Sequence, residues 1–349
     1  MADLKTKYLN LELKNPLVVA SSGLTRSAKM VARCEEAGAG AVVMKSIFEE
    51  DIRRRDNTFQ DGLMNHPEAA EYFSAEVGMI YGAADYCTEL ERARKQVSIP
   101  VIASVNCTEP RFWTGYAVQI ESAGADALEL NLSVPSVELE QSGSASEEMF
   151  YEIVAAVRAK VRIPLAVKMS GQLTCPQNVA EKLVRAGADG LVLFNRQSGL
   201  DIDLETGRAF AAKGDQGLST PHSIYYPLRW IAILSELLPG VSLSASGGVH
   251  GGEGLIKYIL AGAHSVQVCS LFYRDGLRKI GSLLGALENY LEKRDESGVD
   301  SIRGSARRQI QLGSRNQQRL EYMELSKGRF MEVDVADGGG LVYESHDQD

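Results

Sequence analysis

The sequence predicts an α/β fold, a closed (β/α)8 (TIM) barrel, on three observations. The tripeptide Ala-Gly-Ala occurs four times, at Ala37-Gly38-Ala39, Ala123-Gly124-Ala125, Ala186-Gly187-Ala188 and Ala261-Gly262-Ala263, and each copy runs into a short apolar stretch. Between the copies a Pro or Pro-Gly precedes another apolar run, at Pro16, Pro100, Pro164 and Pro239, so the two kinds of strand start alternate. Together they make eight starts, and eight βα units close a barrel whose chemistry lies at the strand C-termini.

The expected strands are Leu17–Ser21, Ala41–Lys45, Val101–Asn106, Ala127–Leu132, Leu165–Lys168, Gly190–Phe194, Ser242–Ser246 and Ser265–Val268. Most are near-continuously apolar and rich in β-branched residues, as parallel strands buried on both faces should be. Helix-period segments such as Ala28–Ala37, Glu147–Lys160 and Pro176–Ala186 lie between them. Each Ala-Gly-Ala fits a helix C-terminus, with Gly as the left-handed cap and small neighbours for a tight turn into the next strand. Residues 46–99 and 195–238 follow the second and sixth strands, exceed a minimal βα unit and are expected to overhang the active face as lids. Within the second, Asp201–Lys213 predicts a hairpin turning at Thr206-Gly207. Beyond Ile280 an amphipathic helix to about Lys293 precedes a polar segment and a tail carrying Gly338-Gly339-Gly340. The domain reading is a barrel over residues 1–295 and a C-terminal extension over 296–349, partly mobile or a subunit contact.

Composition narrows the function. A net charge of −9 argues against a nucleic-acid surface, and the basic run Arg53-Arg54-Arg55 is flanked by Glu49, Glu50, Asp51 and Asp56. No apolar stretch approaches the ~20 residues of a membrane helix, and Met1–Lys7 lacks a signal-peptide core. The five cysteines are odd in number and none is spaced C-x-x-C, which disfavours a disulfide framework, a metal site or a cluster. A reduced, cytoplasmic protein is expected.

Polar residues fall where a barrel enzyme needs them. Seven residues past the four repeat glycines stand Lys45, Asn131, Phe194 (just before Asn195) and Cys269. With Ala20-Ser21, Ser46, Asn106-Cys107, Lys168, Ser246-Gly247-Gly248 and Ser270, two lysines and three asparagines converge on one rim. A buried Lys needs a partner, so it rarely sits idle. The strand-seven Gly-Gly and Cys269-Ser270 offer free backbone N–H groups of the kind that cradle a phosphate.

These motifs, Ala20-Ser21-Ser22-Gly23, Lys45-Ser46, Asn131-Leu132-Ser133-x-Pro135, Val167-Lys168, Gly217-Leu218-Ser219 and Gly247-Gly248, resemble the dihydroorotate dehydrogenases over roughly residues 4–295. The soluble class-1 branch is the nearer likeness. The resemblance implies an FMN-dependent barrel of pyrimidine biosynthesis. It implies that Ala20, Ser21, Lys45, Ser46, Asn106 and Asn131 line the isoalloxazine and ribityl chain. Lys168 would lie near flavin N1/O2, and Gly217, Gly247, Gly248, Cys269 and Ser270 would hold the phosphate end. Asn131 and Asn195 would reach a planar, dihydroorotate-like pyrimidine stacked on the flavin, with Asn65 and Ser136 as looser substrate counterparts. A homodimer is the family habit. With neither a dinucleotide fingerprint nor cluster cysteines here, an NAD-linked route would use a separate electron-transfer subunit; a soluble acceptor such as fumarate is the other option.

The sequence also departs from the family pattern. The place of the proton-accepting Cys or Ser is taken by Val134, which cannot accept a proton, and the last Asn of that motif is Ser136. A base contributes ~10²–10⁴-fold to rate, so flavin binding outlives its loss while ordinary turnover does not. Cys107, His66 and Ser136 are replacement candidates, the bland alternatives being a core thiol for Cys107 and a surface imidazole for His66. Two other readings stand beside this one: a flavin-free phosphate-binding lyase or isomerase using Lys168 as a Schiff-base nucleophile, and a catalytically lapsed FMN-binding relative.

Overall fold

The computed structural model describes residues 2–48, 83–107, 110–132, 139–196, 199–211, 217–306 and 323. The chain opens with a hairpin of β1 (Thr6–Tyr8) and β2 (Leu11–Leu13), whose two-residue turn Leu9-Asn10 has positive φ at both positions. The barrel strands are β3 (Leu17–Val19), β4 (Ala41–Val43), β6 (Val101–Asn106), β7 (Ala127–Leu132), β8 (Leu165–Met169), β9 (Gly190–Leu193), β12 (Ser242–Ser246) and β13 (Ser265–Val268). All their pairings are parallel, and β13 pairing with β3 and β4 with β6 closes the ring. A short β5 (Ile47–Phe48) adds to β6. These are the eight predicted strands, with ends within two residues of expectation.

The repeat glycines do what the sequence requires of them. Gly38, Gly124, Gly187 and Gly262 have φ of 105°, 85°, 115° and 118°, and each closes a helix. The Ala after each Gly donates its N–H five residues back, to Cys34, Ile120, Leu183 and Tyr258 respectively, which is the Schellman closure. Two copies continue into Asp126 and Asp189, which act alike. Asp126 Oδ2 accepts the N–H of Val101 at 2.7 Å and Asp189 Oδ2 that of Leu165 at 2.8 Å, so each carboxylate caps the first donor of the preceding strand. Arg94 and Arg158 pair with them at 2.9 and 3.0 Å.

Period-two alternation separates the two strand faces. Leu17, Val19, Val42, Val101, Leu128, Leu130, Val167 and Leu191 point outward into the main core, against helices that include α1 (Ala28–Glu36), α2 (Ala83–Gln96), α3 (Pro110–Ser122) and α4 (Gly143–Arg158). Val18, Ala41, Val43, Ile102, Ala127, Ala166 and Val192 point inward and pack on Tyr8, Leu9 and Leu13. The β1–β2 hairpin, which the sequence reading did not foresee, therefore plugs the N-terminal end of the barrel. Leu9 N–H donates to Ser242 Oγ at 3.0 Å, fixing the plug to β12.

Between β9 and β12, β10 (Leu200–Ile202) and β11 (Ala209–Ala211) form the expected antiparallel hairpin, with Gly207 at φ 66° in its turn. The insertion after β4 lies mostly outside the described residues, as does the basic run. At the other end, Gly298 pairs with Asp3, and Arg303 donates to Thr6 Oγ1 at 2.6 Å, so residues up to 306 pack on the barrel. Among the described residues, no helix is long and apolar enough to cross a membrane.

Candidate active site

The inward face of each strand continues to the barrel mouth. Adding two residues to Val18 and Val43 gives Ala20 and Lys45; adding them to Ser104, Glu129 and Ala166 gives Asn106, Asn131 and Lys168. On β12 and β13 the same step leads to Ser246 and Cys269, and on β9 it leads from Val192 to Phe194. Polar groups at these positions are thus carried to one opening by strand geometry.

A cleft of about 830 Å³ occupies this opening, within the range of small-molecule sites. Of the predicted residues, Ala20, Ser21, Lys168, Asn195, Gly247, Gly248, Cys269 and Ser270 line it. Lys45, Ser46, Asn106, Asn131 and Gly217 stand beside it without lining it, although Gly217's neighbours Leu218 and Ser219 do. Asn65, His66, Val134 and Ser136 lie outside the described residues. Cys107 follows the inward Asn106, so it points the other way and is buried in the outer core, away from the cleft.

The floor beneath the cleft is polar and buried. Lys168 and Asn131 are register partners on β8 and β7. Lys168 Nζ donates to Gln267 Oε1 at 2.9 Å, and Gln267 Nε2 donates to Glu129 Oε2 at 2.5 Å. The direct Lys168–Glu129 separation is 3.9 Å. Asn131 Oδ1 and Glu129 Oε1 are buried without a hydrogen-bond partner. A buried, unmatched acceptor costs about 1–3 kcal/mol, so Asn131 at the mouth is suited to a ligand N–H.

Ser46 is held differently. Its N–H donates to Ser21 Oγ at 2.8 Å, and its hydroxyl bridges to Ser21 at 3.0 Å and to Ser104 at 2.8 Å. This chain of hydroxyls laces the ends of β3, β4 and β6 together and shapes the floor.

Another part of the lining is a backbone turn. Gly247 and Gly248 have φ of 102° and 72°, and a Cβ on Gly248 would sit 2.2 Å from Ile224 N. Only glycine fits there: the turn packs directly on the Ile224 backbone, and the Gly248 N–H donates to Ser219 Oγ at 3.3 Å. The loop after the hairpin is tied across this wall: Ser219 N–H donates to Ser270 Oγ at 3.0 Å and His250 Nε2 contacts Ser219 O at 2.8 Å. Cys269 shares the wall; burial pushes its thiol up, against the opposing pull of the Ser22 hydroxyl, Lys168 and Arg196.

Sequence reasoning missed several participants. Glu129 and Gln267 stand two residues before Asn131 and Cys269, so strand alternation was a usable signal for both. Arg196, Tyr226 and Tyr273 also line the cleft. Phe194 and Tyr226 meet at 5.2 Å between ring centroids, and Tyr273 Oη accepts Gly23 N–H at 2.8 Å. Nothing local in the chain marks these contacts. Among the described residues, no cluster of three or more His, Cys, Asp or Glu could hold a metal ion.

Comparison with known proteins agrees with this geometry. A family model described as dihydroorotate dehydrogenase matches residues 3–291. The catalytic subunit of dihydroorotate dehydrogenase B (NAD(+)) from Methanocella arvoryzae is 30% identical over 86% of this chain and 96% of its own length. Its counterpart from Methanosarcina acetivorans is 31% identical over 84% and 93%. A putative dihydroorotate dehydrogenase A (fumarate) from Aeropyrum pernix is 30% identical over 88% and 98%.

Proposed function

The chain belongs to the dihydroorotate dehydrogenase family, and we propose on that premise that it is an FMN-dependent oxidoreductase acting on a CH–CH bond of a dihydroorotate-like pyrimidine. The observation that carries this reading is that a buried Lys168 ammonium and the Gly247-Gly248 turn line the same cleft. A flavin mononucleotide needs both: positive charge beside its ring and backbone donors at its phosphate. Its ring takes up the hydride when it is bound; the protein supplies the surroundings.

In this reading Lys168 would supply positive charge beside the ring. Ala20 and Ser21 would help hold the ring, with Lys45, Ser46 and Asn106 supporting them. Gly247, Gly248, Cys269 and Ser270 hold the phosphate, with Gly217 leading into the same wall. Asn131 and Asn195 orient the substrate, and Asn65 and Ser136 complete that set. Cys107, held in the outer core, is assigned no proton. The Schiff-base alternative is disfavoured because the Lys168 amine is engaged by Gln267 and faces Glu129.

Two named classes of relative, one NAD-linked and one fumarate-linked, are about equally similar to this chain. We assign the NAD-linked arrangement, a homodimeric catalytic subunit with a separate electron-transfer subunit, because relatives of that name recur among the similar proteins. Val134 at the base's place supports a second reading, a lapsed or retargeted FMN binder.

Absorbance spectroscopy of the purified protein, followed by anaerobic titration with dihydroorotate, tests these readings. A yellow protein bleached by dihydroorotate is expected. Persistent colour that only other reductants bleach would favour the retargeted binder, and a colourless protein unable to take up FMN would sink the flavin assignment.

A further inference from the structure

The three-residue chain under the cleft has more order than a lysine's partner requires. Lys168, Gln267 and Glu129 come from β8, β13 and β7, and all three are at most 7% exposed. An ammonium only donates and a carboxylate only accepts, so a bridging amide can satisfy both in one orientation. Gln267 takes that orientation, with its carbonyl on Lys168 at 2.9 Å and its amino group on Glu129 at 2.5 Å. Glu129 Oε1 accepts no hydrogen bond and makes only a long ion pair with the Lys168 nitrogen, at 3.9 Å. The carboxylate is therefore poised to draw the ammonium down into the barrel, and the amide stands between them.

We propose that Gln267, braced by Glu129, is a positioning residue that holds the Lys168 ammonium up at the cleft and keeps its long ion pair with Glu129 from closing to hydrogen-bond distance. It rests on the flavin reading for its consequence but not for its geometry. With the amide in place, the remaining Lys168 donors are directed at whatever occupies the mouth. Without it, the attraction between two buried opposite charges has no competitor, and the positive charge recedes from the ligand.

The test uses the full-length protein and a length-matched variant, Gln267→Met, with Gln267→Asn as a second variant whose amide is one methylene too short to bridge. Sulfite adds to bound FMN and reports positive charge beside the ring. Its dissociation constant should rise about three- to tenfold in Gln267→Met and should not be restored in Gln267→Asn. In a Lys168→Met background, adding Gln267→Met should change nothing further, because Gln267 acts through Lys168. An unchanged constant in the single variants, or additive effects in the double one, overturns the proposal. A flavin-independent readout separates its failure from that of the functional reading. Acetic anhydride labelling of Lys168 in FMN-free protein, mapped by mass spectrometry, should slow several-fold in both Gln267 variants. Equal or faster labelling overturns the positioning role whether or not the protein binds FMN.

Discussion

The Tyr258 hydroxyl donates to the carbonyl of Gly247 at 2.7 Å, from the interior of the helix Gly252–Ala261, where burial raises its pKa. This bond joins the helix after β12 to the turn that forms the cleft wall. Replacing Tyr258 with Phe removes it and leaves a carbonyl with one partner fewer. We expect a loss of about 1 kcal/mol in urea unfolding, with weaker retention of FMN through gel filtration. Full stability and undiminished FMN content in the variant would show that the turn holds itself.

Gly248 tests the same wall from the backbone. Its φ of 72° and the 2.2 Å approach of a Cβ to Ile224 N make Gly248→Ala strained and crowded at once. A loss of more than about 2 kcal/mol is expected. Gly251→Ala is the control, since nothing lies within 4 Å of its Cβ position. Thermal unfolding of the pair should separate them clearly; similar midpoints would contradict the geometry.

Asn131 predicts the opposite pattern, function lost without stability. Its buried Oδ1 has no partner in the protein, so Asn131→Ala removes an unmet acceptor. Ligand affinity, read by titration with FMN and orotate, should fall about tenfold while the unfolding midpoint holds or rises. A fall in stability alone would assign Asn131 to the scaffold.

Glu35 supplies a pH dependence. Burial raises its pKa, but the Ser98 hydroxyl and the Ser98 and Ile99 N–H groups, at 2.6, 2.8 and 3.1 Å, outweigh that and lower it overall. A carboxylate depressed in the folded state contributes stability above its unfolded pKa and loses it as pH falls through the folded one. Glu35→Gln should therefore lower the melting temperature at pH 7, with the gap from wild type shrinking below about pH 4, near the unperturbed glutamate value. A gap independent of pH would argue against this linkage.

Cys107 is the remaining base candidate among the described residues, and its outer-core placement predicts that Cys107→Ala reduces flavin at the wild-type rate. Stopped-flow reduction with the effective donor checks this; a rate lowered by the ~10²–10⁴-fold typical of a lost base would restore the thiol to the mechanism.

The strands, their order and their chemistry-bearing ends were legible because each depends on local pattern. A Schellman glycine needs only its own helix, and period-two alternation needs only its own strand. That is enough to put Lys168, Asn131, Ala20 and Cys269 at one mouth once the ring closes. What the ring brings together across its width was not legible. Gln267 and Glu129 are 138 residues apart, and their contact exists only because β13 and β7 face each other through the barrel. Neighbour contacts of this long-range kind also set the hydroxyl chain that engages Ser46 and the β1–β2 plug, whereas Cys107's outward turn follows from alternation beside the inward Asn106. Sequence determined which residues reach the barrel's interior and mouth; the tertiary structure decided which of them meet, because side-chain partners across a closed sheet are set by register and shear rather than by spacing along the chain.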